Sequence, residues 1–182
     1  MTEQNTVKQN TENKIYKHNP HINTEIRSSK MNIVLFEPEI PANTGNISRT
    51  CAITGAALHL IEPLGFDISE KAVRRAGLDY WDKLDLHVYK NWQDFKEKNP
   101  NANIYLATTK GSVAYTNMSF RPNDYLVFGK ETAGLPDYIH AEHPENRIKI
   151  PMGKDFRSLN LSNAVAVILY EALRQNDFFD LE

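Results

Sequence analysis

The chain has 182 residues, of which 41% are hydrophobic and 24% are charged, and its formal net charge is −2. This length and apolar content predict one globular domain with a sizeable core. No stretch approaches the roughly 18 consecutive apolar residues that a membrane-spanning helix needs. The slightly acidic balance speaks mildly against nucleic acid as a partner, although it leaves room for a local basic patch.

The first 30 residues differ in composition from the rest of the chain, because they are rich in Asn, Thr and Lys and poor in large apolar side chains. Such a stretch cannot bury enough surface to offset the entropy lost on ordering. Residues 1–30 are therefore predicted to be a disordered tail, and residues 31–182 one folded domain. The tail lacks the apolar core of a secretory signal, and a single cysteine, Cys51, excludes an internal disulfide. We expect a cytoplasmic protein in which Cys51 is a small core residue on a helix.

From Met31 onwards, strand patterns and helix patterns alternate. Apolar runs bounded by turn residues predict strands at MNIVLFEP, ALHLIEP, LDLHVYK, NIYLATT, DYLVFGKE and RIKIP. Helices are predicted at NTGNISRTCAITGA, ISEKAVRRAG, WQDFKEK and LSNAVAVILYEALRQ. This alternation is typical of an α/β domain with a mostly parallel sheet and helices on both faces.

Cap residues give the first two predicted helices their ends. The first helix has cap-type side chains at Asn43, Thr44 and Asn46 and a stop at Gly55. The second helix is predicted to begin after Ser69 as its cap and to end at Gly77. The last helix is apolar nearly all round, which predicts burial on several sides. A homodimer interface and an ordinary core helix both explain it.

Three loops that follow predicted strands are candidates for a ligand site: residues 106–112, 127–136 and 150–163. Ligands of open parallel sheets bind beyond the carboxyl ends of the strands, and we expect the three loops to form one cleft. The P-loop and GxGxxG patterns are absent, which disfavours nucleoside triphosphatases and dinucleotide enzymes. His140 and His143 lie three residues apart, but Pro144 and polar neighbours predict an exposed turn there and no metal site.

A cluster of polar residues precedes the last predicted helix: Ser158, Asn160, Ser162 and Asn163. The first turn of a helix needs acceptors for its free N–H groups, so one of these side chains is expected to cap the helix. One cap needs one such residue. The surplus predicts either a polar ligand or a pocket that is closed by another loop.

Three motifs resemble those of the SPOUT superfamily of RNA methyltransferases: NTGNISRTC (43–51), LVFGKETAGLP (126–136) and IPMGKDFRSLNLSNAVAVILYEA (150–172). Residues 31–66 and RRAGLDYW (74–81) are similar to the short subfamily of tRNA (cytidine/uridine-2′-O)-methyltransferases, which act on the wobble nucleotide of leucine tRNAs. The resemblance covers residues 31–175. It implies a deep C-terminal trefoil knot, S-adenosyl-L-methionine as cofactor, tRNA as partner through its anticodon loop, and a homodimer with the last helix in its interface.

The resemblance also implies roles for individual residues. The catalytic residue would be Arg49, which arrives from the same subunit or from its neighbour. A guanidinium is a poor general base because it stays charged, so we favour orientation and electrostatic stabilisation over proton removal. The implied cofactor contacts are Ala107, Gly129, Ile150, Met152, Ser158 and Leu159.

Further side chains are expected to hold loops or RNA. Asn43 and Glu131 are predicted to bridge loops by hydrogen bonds, and a direct contact with the substrate is left open for each. The residues predicted to meet RNA phosphates are Arg74, Arg75, Lys110, Lys154 and Arg157. Two alternative functions remain: 2′-O-methylation of another tRNA position or of ribosomal RNA, and RNA or cofactor binding without catalysis.

Overall fold

The structure, a computed structural model, describes residues 30–68, 81–179 and 181–182. In these ranges seven strands form one sheet in the order β3-β2-β1-β6-β4-β7-β5, and every pair of neighbouring strands is parallel. The strands are Asn32–Phe36 (β1), Ala57–Ile61 (β2), Leu86–Tyr89 (β3), Ile104–Ala107 (β4), Val113–Ala114 (β5), Tyr125–Phe128 (β6) and Arg147–Lys149 (β7). The six strands predicted from the sequence are confirmed, and β5 is additional.

Helices cover both faces of the sheet, which confirms the predicted fold class. Alternate residues of β1 show the two layers: Ile33 and Leu35 join one core cluster, and Val34 and Phe36 join the other. The first cluster is closed by α1 and α4, and the second by α2 and α3. The helices are Pro41–Thr54 (α1), Trp92–Lys98 (α2), Asp137–Glu142 (α3) and Leu161–Gln175 (α4).

The first helix begins earlier than the cap-type residues predicted. Its first residue is Pro41, and Ile40 is the N-cap without a side-chain hydrogen bond. Proline suits the first helical position because its fixed φ is already helical and it has no N–H to satisfy. Asn43 and Thr44 therefore lie buried in the first turn and do not cap it, which corrects the prediction. The predicted stop is confirmed, because Gly55 ends the helix with a φ of 69°.

Cys51 is fully buried in the core cluster that α1 helps to close. Burial raises the pKa of its thiol to about 12, so the thiolate needed for nucleophilic attack is not formed at neutral pH. The prediction of a small core residue on a helix is confirmed.

The segment around His140 differs from its prediction. It forms α3, and the His140 side chain is only 6% exposed, so the predicted exposed turn is wrong. The polar residues of this segment share the helix with Ile139, which is fully buried in the second core cluster. The helix buries that side and turns Tyr138 and Glu142 to solvent.

The last helix buries one face within the chain. Val165, Ile168 and Leu169 are in the core, whereas Val167 is 37% exposed and Tyr170 is 44% exposed. Burial on several sides is therefore not achieved by one subunit alone. The homodimer and the trefoil knot stay predictions.

Two other expectations concern the ends of the described ranges. The predicted helix between Ser69 and Gly77 lies outside the described residues, as does the tail up to residue 29. Lys30 is described, and it forms an ion pair with Asp85 while its carbonyl accepts a hydrogen bond from the Asn123 N–H. The described part of the chain thus includes Lys30, and the boundary between tail and domain stays a prediction.

Candidate active site

A cleft of about 520 Å³ opens at the carboxyl ends of the central strands. The loops that follow β4, β6 and β7 line it together with the first turns of α1 and α4. The predicted convergence of the three loops into one cleft is confirmed. All six residues predicted to contact the cofactor lie in its wall: Ala107, Gly129, Ile150, Met152, Ser158 and Leu159.

At Gly129 two backbone segments of the cleft wall lie in close contact. A Cβ atom on Gly129 would lie 2.1 Å from the Gly134 carbonyl carbon and 2.3 Å from the Leu135 nitrogen. The loop folds back on itself here, because the Gly134 N–H donates to the Lys130 carbonyl and Gly134 has a φ of 68°. Only glycine permits this close approach of two backbone segments.

Glu131 ties the loop after β6 to the start of α1. Its carboxylate accepts hydrogen bonds from the Glu39 N–H at 2.9 Å, the Ile40 N–H at 3.2 Å and the Asn43 side-chain amide at 2.9 Å. Partial burial raises the pKa of Glu131, but these hydrogen bonds outweigh it, and the pKa lies below its usual value. The predicted bridging of loops by Asn43 and Glu131 is confirmed.

Asn160 extends this network to the third loop. Its side-chain amide donates to the Asn43 side-chain oxygen at 3.0 Å. Its own side-chain oxygen accepts from the N–H groups of Ser162 and Asn163, so Asn160 is the N-cap of α4. Asn160 thus caps the last helix, as predicted, and its bond to Asn43 agrees with the second of the two explanations left open for the polar cluster, a pocket closed by another loop.

The remaining predicted site residues fall into four groups. Lys110 and Arg157 line the cleft, and Lys110 pairs with Asp137 at 3.0 Å. Lys154 lies exposed in the 150–160 loop, outside the cleft wall. Arg49 is exposed in the middle of α1 and is not part of the wall formed by this chain. Arg74 and Arg75 lie outside the described residues.

Several residues of the cleft floor escaped the sequence analysis. Leu135 and Ile148 are buried and supply an apolar floor, and His140 and Thr108 lie beside them. Leu135 and Ile148 could have been predicted to line the cleft, because each belongs to a loop assigned to it or to the strand before such a loop. His140 could not have been predicted from the sequence, because its apolar surroundings arise from the packing of α3 against other elements.

The cleft combines an apolar floor with many backbone groups in its wall. Such a surface suits a flat heteroaromatic ligand with polar edges. Within the described ranges, no group of three or more His, Cys, Asp or Glu side chains is arranged to hold a metal ion, and no helix has the length and apolar character to cross a bilayer. A parallel sheet with a glycine-walled cleft at its carboxyl edge defines the class of α/β enzymes that bind a nucleotide-like cofactor.

Comparison with known proteins gives the family. The model of the SpoU rRNA Methylase family matches residues 30–170, and the chain belongs to this family. This confirms the resemblance to RNA methyltransferases that the three motifs indicated.

The chain is similar over most of its length to methyltransferases of known sequence and structure. A tRNA (cytidine(34)-2′-O)-methyltransferase of Yersinia pestis is 52% identical over 151 residues, which cover 80% of this chain and 93% of the relative. A solved structure from work on the 2-OH methylation of C/U34 on tRNA is 42% identical, has a TM-score of 0.76 and covers 82% of this chain and 98% of its own. The SpoU methyltransferase AviRb of Streptomyces viridochromogenes, solved with the cofactor AdoMet, is 25% identical and has a TM-score of 0.70. The match covers 83% of this chain and 62% of AviRb.

Proposed function

We propose that the chain transfers a methyl group from S-adenosyl-L-methionine to the ribose 2′-oxygen of nucleotide 34 in tRNA. The observation that carries this proposal is the single cleft that gathers all six expected cofactor positions. Relatives about 50% identical over nearly their whole length are named tRNA (cytidine(34)-2′-O)-methyltransferases, which supports the substrate. The reaction takes place in the cytoplasm, where tRNA is modified.

The residues of the cleft fit this cofactor. Gly129 lets the 129–135 loop fold back on itself, because a Cβ there would meet the Gly134 and Leu135 backbone, and this fold gives the cleft wall the backbone groups proposed to meet the ring. Leu135, Ile148 and Ile150 offer apolar contact to the purine faces. The cofactor contacts proposed for this chain are Ala107, Gly129, Ile150, Met152, Ser158 and Leu159.

The bound cofactor supplies an electrophilic methyl group on a sulfonium. In the reaction the bond from this methyl carbon to sulfur breaks, a bond to the ribose 2′-oxygen forms, and the hydroxyl proton leaves to solvent. The protein must hold the oxygen in line with the methyl group, and good alignment supplies about 7–11 kcal/mol of a barrier. The role of holding the 2′-oxygen in line is assigned to Arg49, because a guanidinium donates hydrogen bonds from a rigid planar group and stabilises the developing negative charge.

Arg49 is assigned to the cleft of the neighbouring subunit. In its own chain it is exposed on α1, outside the wall of the cleft. The helix that carries it packs against α4, whose Val167 and Tyr170 are exposed. A homodimer that pairs these apolar surfaces would cover them and bring α1 of one subunit to the cleft of the other.

The RNA is held by basic residues at the mouth of the cleft. Lys110 and Arg157 line the cleft, and Lys154 is exposed in the same loop as Arg157. Contacts with phosphates position RNA without reading its sequence. Arg74 and Arg75 are assigned the same role, and the anticodon loop is the part of the tRNA that enters.

The test is methylation of total tRNA and, in a separate reaction, of ribosomal RNA with a radiolabelled methyl donor, followed by nuclease digestion and mapping of the labelled nucleotide. The proposal expects a 2′-O-methylated nucleotide from position 34, with leucine tRNAs as the first isoacceptors to examine. Label at another tRNA position, or label only in ribosomal RNA, would support the second function. Cofactor binding without label in any RNA would support the non-catalytic alternative.

A further inference from the structure

Phe156 is a large apolar side chain that the fold leaves in solvent. It is 74% exposed, the largest exposed fraction among the large apolar side chains of the described residues. Phenylalanine is among the residues most often buried. Single exposed apolar residues are common on proteins, but Phe156 directly precedes Arg157, which lines the cleft. Consecutive Cα atoms are about 3.8 Å apart, so the backbone of Phe156 lies at the rim of the candidate active site.

The loop holds the ring of Phe156 without covering it. The Phe156 N–H donates to the Gly153 carbonyl at 3.2 Å, which closes a tight turn. A Cβ atom on Gly153 would lie 3.2 Å from Cδ2 and 3.5 Å from Cε2 of the ring, so the ring packs against this glycine. The rest of the side chain stays accessible. The ring is therefore positioned before a ligand arrives, and little side-chain freedom is lost when one binds.

The methyl donor does not account for this exposed ring. Met152 and Leu159 are also exposed apolar residues of the 150–160 segment, but both line the cleft and are assigned to the cofactor. Phe156 does not line the cleft, so a ligand inside it leaves the ring uncovered. The RNA must reach the mouth of the same cleft, because the methyl group is transferred there.

The charges beside the ring suit a polyanion. Lys154 and Arg157 are exposed basic residues within two positions of Phe156, and Asp155 is the one acidic residue of the 150–160 segment. Two basic residues and one acidic residue give this segment a net charge of +1. Proteins bind single-stranded nucleic acid with this combination, in which cations contact the phosphates and an aromatic ring stacks on a base.

We propose that the ring of Phe156 stacks on an unpaired base of the tRNA anticodon loop, either that of nucleotide 34 or that of a direct neighbour. The inference rests on the proposed function, because it assumes that the ribose of nucleotide 34 enters this cleft. A nucleotide that enters a cleft loses stacking with its neighbours, and a fixed aromatic ring replaces that stacking. Every base has an aromatic face, so the contact adds affinity without selecting a sequence.

The first test measures the affinity of full-length variants for an anticodon stem-loop by fluorescence anisotropy. Phe156→Leu keeps an apolar group and removes the aromatic ring, and it is expected to weaken RNA binding by about tenfold. Phe156→Tyr keeps the ring and is expected to stay within about threefold of the unmodified chain. Calorimetry with S-adenosylhomocysteine should give an unchanged cofactor affinity, and a parallel loss of that affinity would place Phe156 in the cofactor site and overturn the inference.

Tyr138→Leu is the matched control. Tyr138 is an exposed aromatic residue on α3 that does not line the cleft. Its surroundings are acidic, since burial and then the carboxylates of Glu37 and Glu142 raise the pKa of its phenol. Its replacement is expected to leave RNA affinity unchanged. An equal loss in this variant would overturn the assignment of the stacking contact to the rim of the cleft. A thermal melt of each variant checks that the fold is retained.

A second measurement identifies the base. Three stem-loops each lack one base, at nucleotide 33, 34 or 35. For one of them, the missing base is expected to weaken binding to the unmodified protein, and Phe156→Leu should then add no further loss, because both changes remove the same contact. A folded Phe156→Leu variant with unchanged RNA affinity, or losses that add for all three RNAs, would overturn the inference.

A subunit interface would also cover an exposed ring, and sedimentation tests it. Phe156→Ser removes the apolar group and is expected to sediment as the unmodified protein does. Dissociation of this variant into smaller species would assign the ring to the interface and overturn the inference. Failure of the unmodified protein to bind both the stem-loops and intact tRNA would instead refute the proposed function.

Discussion

Gly129 shows how one atom decides the shape of the cleft. Its missing side chain lets the 129–135 loop fold onto itself, and the same loop carries Glu131, which fixes the start of α1. Asn43 and Asn160 continue the hydrogen bonds to the start of α4. Three segments distant in sequence therefore share one hydrogen-bond network. A substitution at one of these residues is expected to shift the position of the other two segments.

Replacement of Gly129 by alanine is predicted to weaken cofactor binding by more than about tenfold. The new Cβ would lie 2.1 Å from the Gly134 carbonyl carbon, so the loop must move out of position. Gly153→Ala is the matched control, because a Cβ there would meet only the Phe156 ring, 3.2 Å away, in an exposed loop. Calorimetry with S-adenosylmethionine gives both affinities, and equal binding by the two variants would contradict this role of Gly129.

Replacement of Arg49 by alanine is predicted to slow methyl transfer while leaving the affinity for the methyl donor nearly unchanged. Cofactor affinity should remain within about threefold, because the contact assigned to Arg49 in the neighbouring cleft is with the ribose 2′-oxygen and not with the methyl donor. The rate of methylation should fall by about a hundred- to a thousandfold, the usual effect of removing one group that stabilises developing charge. Single-turnover methylation and calorimetry provide the two values. A variant that loses cofactor affinity in parallel with its rate would place Arg49 in the cofactor site.

At the scale of the elements, the three neighbouring strands β1, β2 and β3 are joined by a buried polar group that does not line the cleft. His59 on β2 pairs with Tyr89 on β3 through Nδ1 at 2.9 Å and with Asn32 on β1 through Nε2 at 3.2 Å. Its ring stacks on that of His87 at a centroid distance of 4.7 Å. Burial, followed by the charge of His87, lowers the pKa of His59 to about 3.

This shift predicts that acid destabilises the fold through His59. The unfolded chain binds a proton to this residue near pH 6.5, whereas the folded chain binds it only near pH 3, so the free energy of unfolding falls as pH drops through that window. The slope contributed by one such group approaches about 1.4 kcal/mol per pH unit. Urea unfolding between pH 7 and pH 5 should show a shallower decline for His59→Gln than for the unmodified chain. Parallel curves would contradict the assignment.

The sequence predicted strands better than helix ends and buried polar residues. β1, β2, β4 and β6 are mainly apolar runs, as strands covered on both faces require, whereas β3 and β7 are partly exposed and were predicted from short apolar stretches between turn residues. The two-residue strand β5 and the six-residue helix α3 are too short to have a period of their own. The start of α1 was misplaced because Asn43 and Thr44 look like caps, yet their side chains serve tertiary contacts or lie buried.

Only those residues of the candidate site that lie within the sequence motifs were predictable. The loops that line the cleft carry glycine and polar residues after strands, and the resemblance supplied the cofactor positions within them. The partners of Glu131 and the burial of His140 depend on residues distant in sequence, such as Glu39 and Ile148, and no local spacing encodes them. The trefoil knot likewise came from resemblance, since hydrophobic periodicity carries no information on threading.

At the scale of the whole molecule, the account depends on a dimer. Co-expression of Arg49→Ala and Gly129→Ala subunits with different tags allows the mixed dimer to be purified. If Arg49 acts in the cleft of its neighbour, one site of the mixed dimer has both an intact cleft and an intact arginine, and about half of the unmodified rate is expected. If each subunit uses its own Arg49, both sites are defective and the mixed dimer should be inactive. A monomer by sedimentation would remove the basis of the dimer proposal.

The most direct test of the central claim uses two anticodon stem-loops that differ in one atom. One carries the natural ribose at nucleotide 34, and the other carries 2′-deoxyribose there. With labelled S-adenosylmethionine, the account predicts one methyl group on the first RNA and none on the second, although both should bind. Equal labelling of both RNAs would show that the methyl group goes elsewhere and would contradict the assignment of the ribose 2′-oxygen.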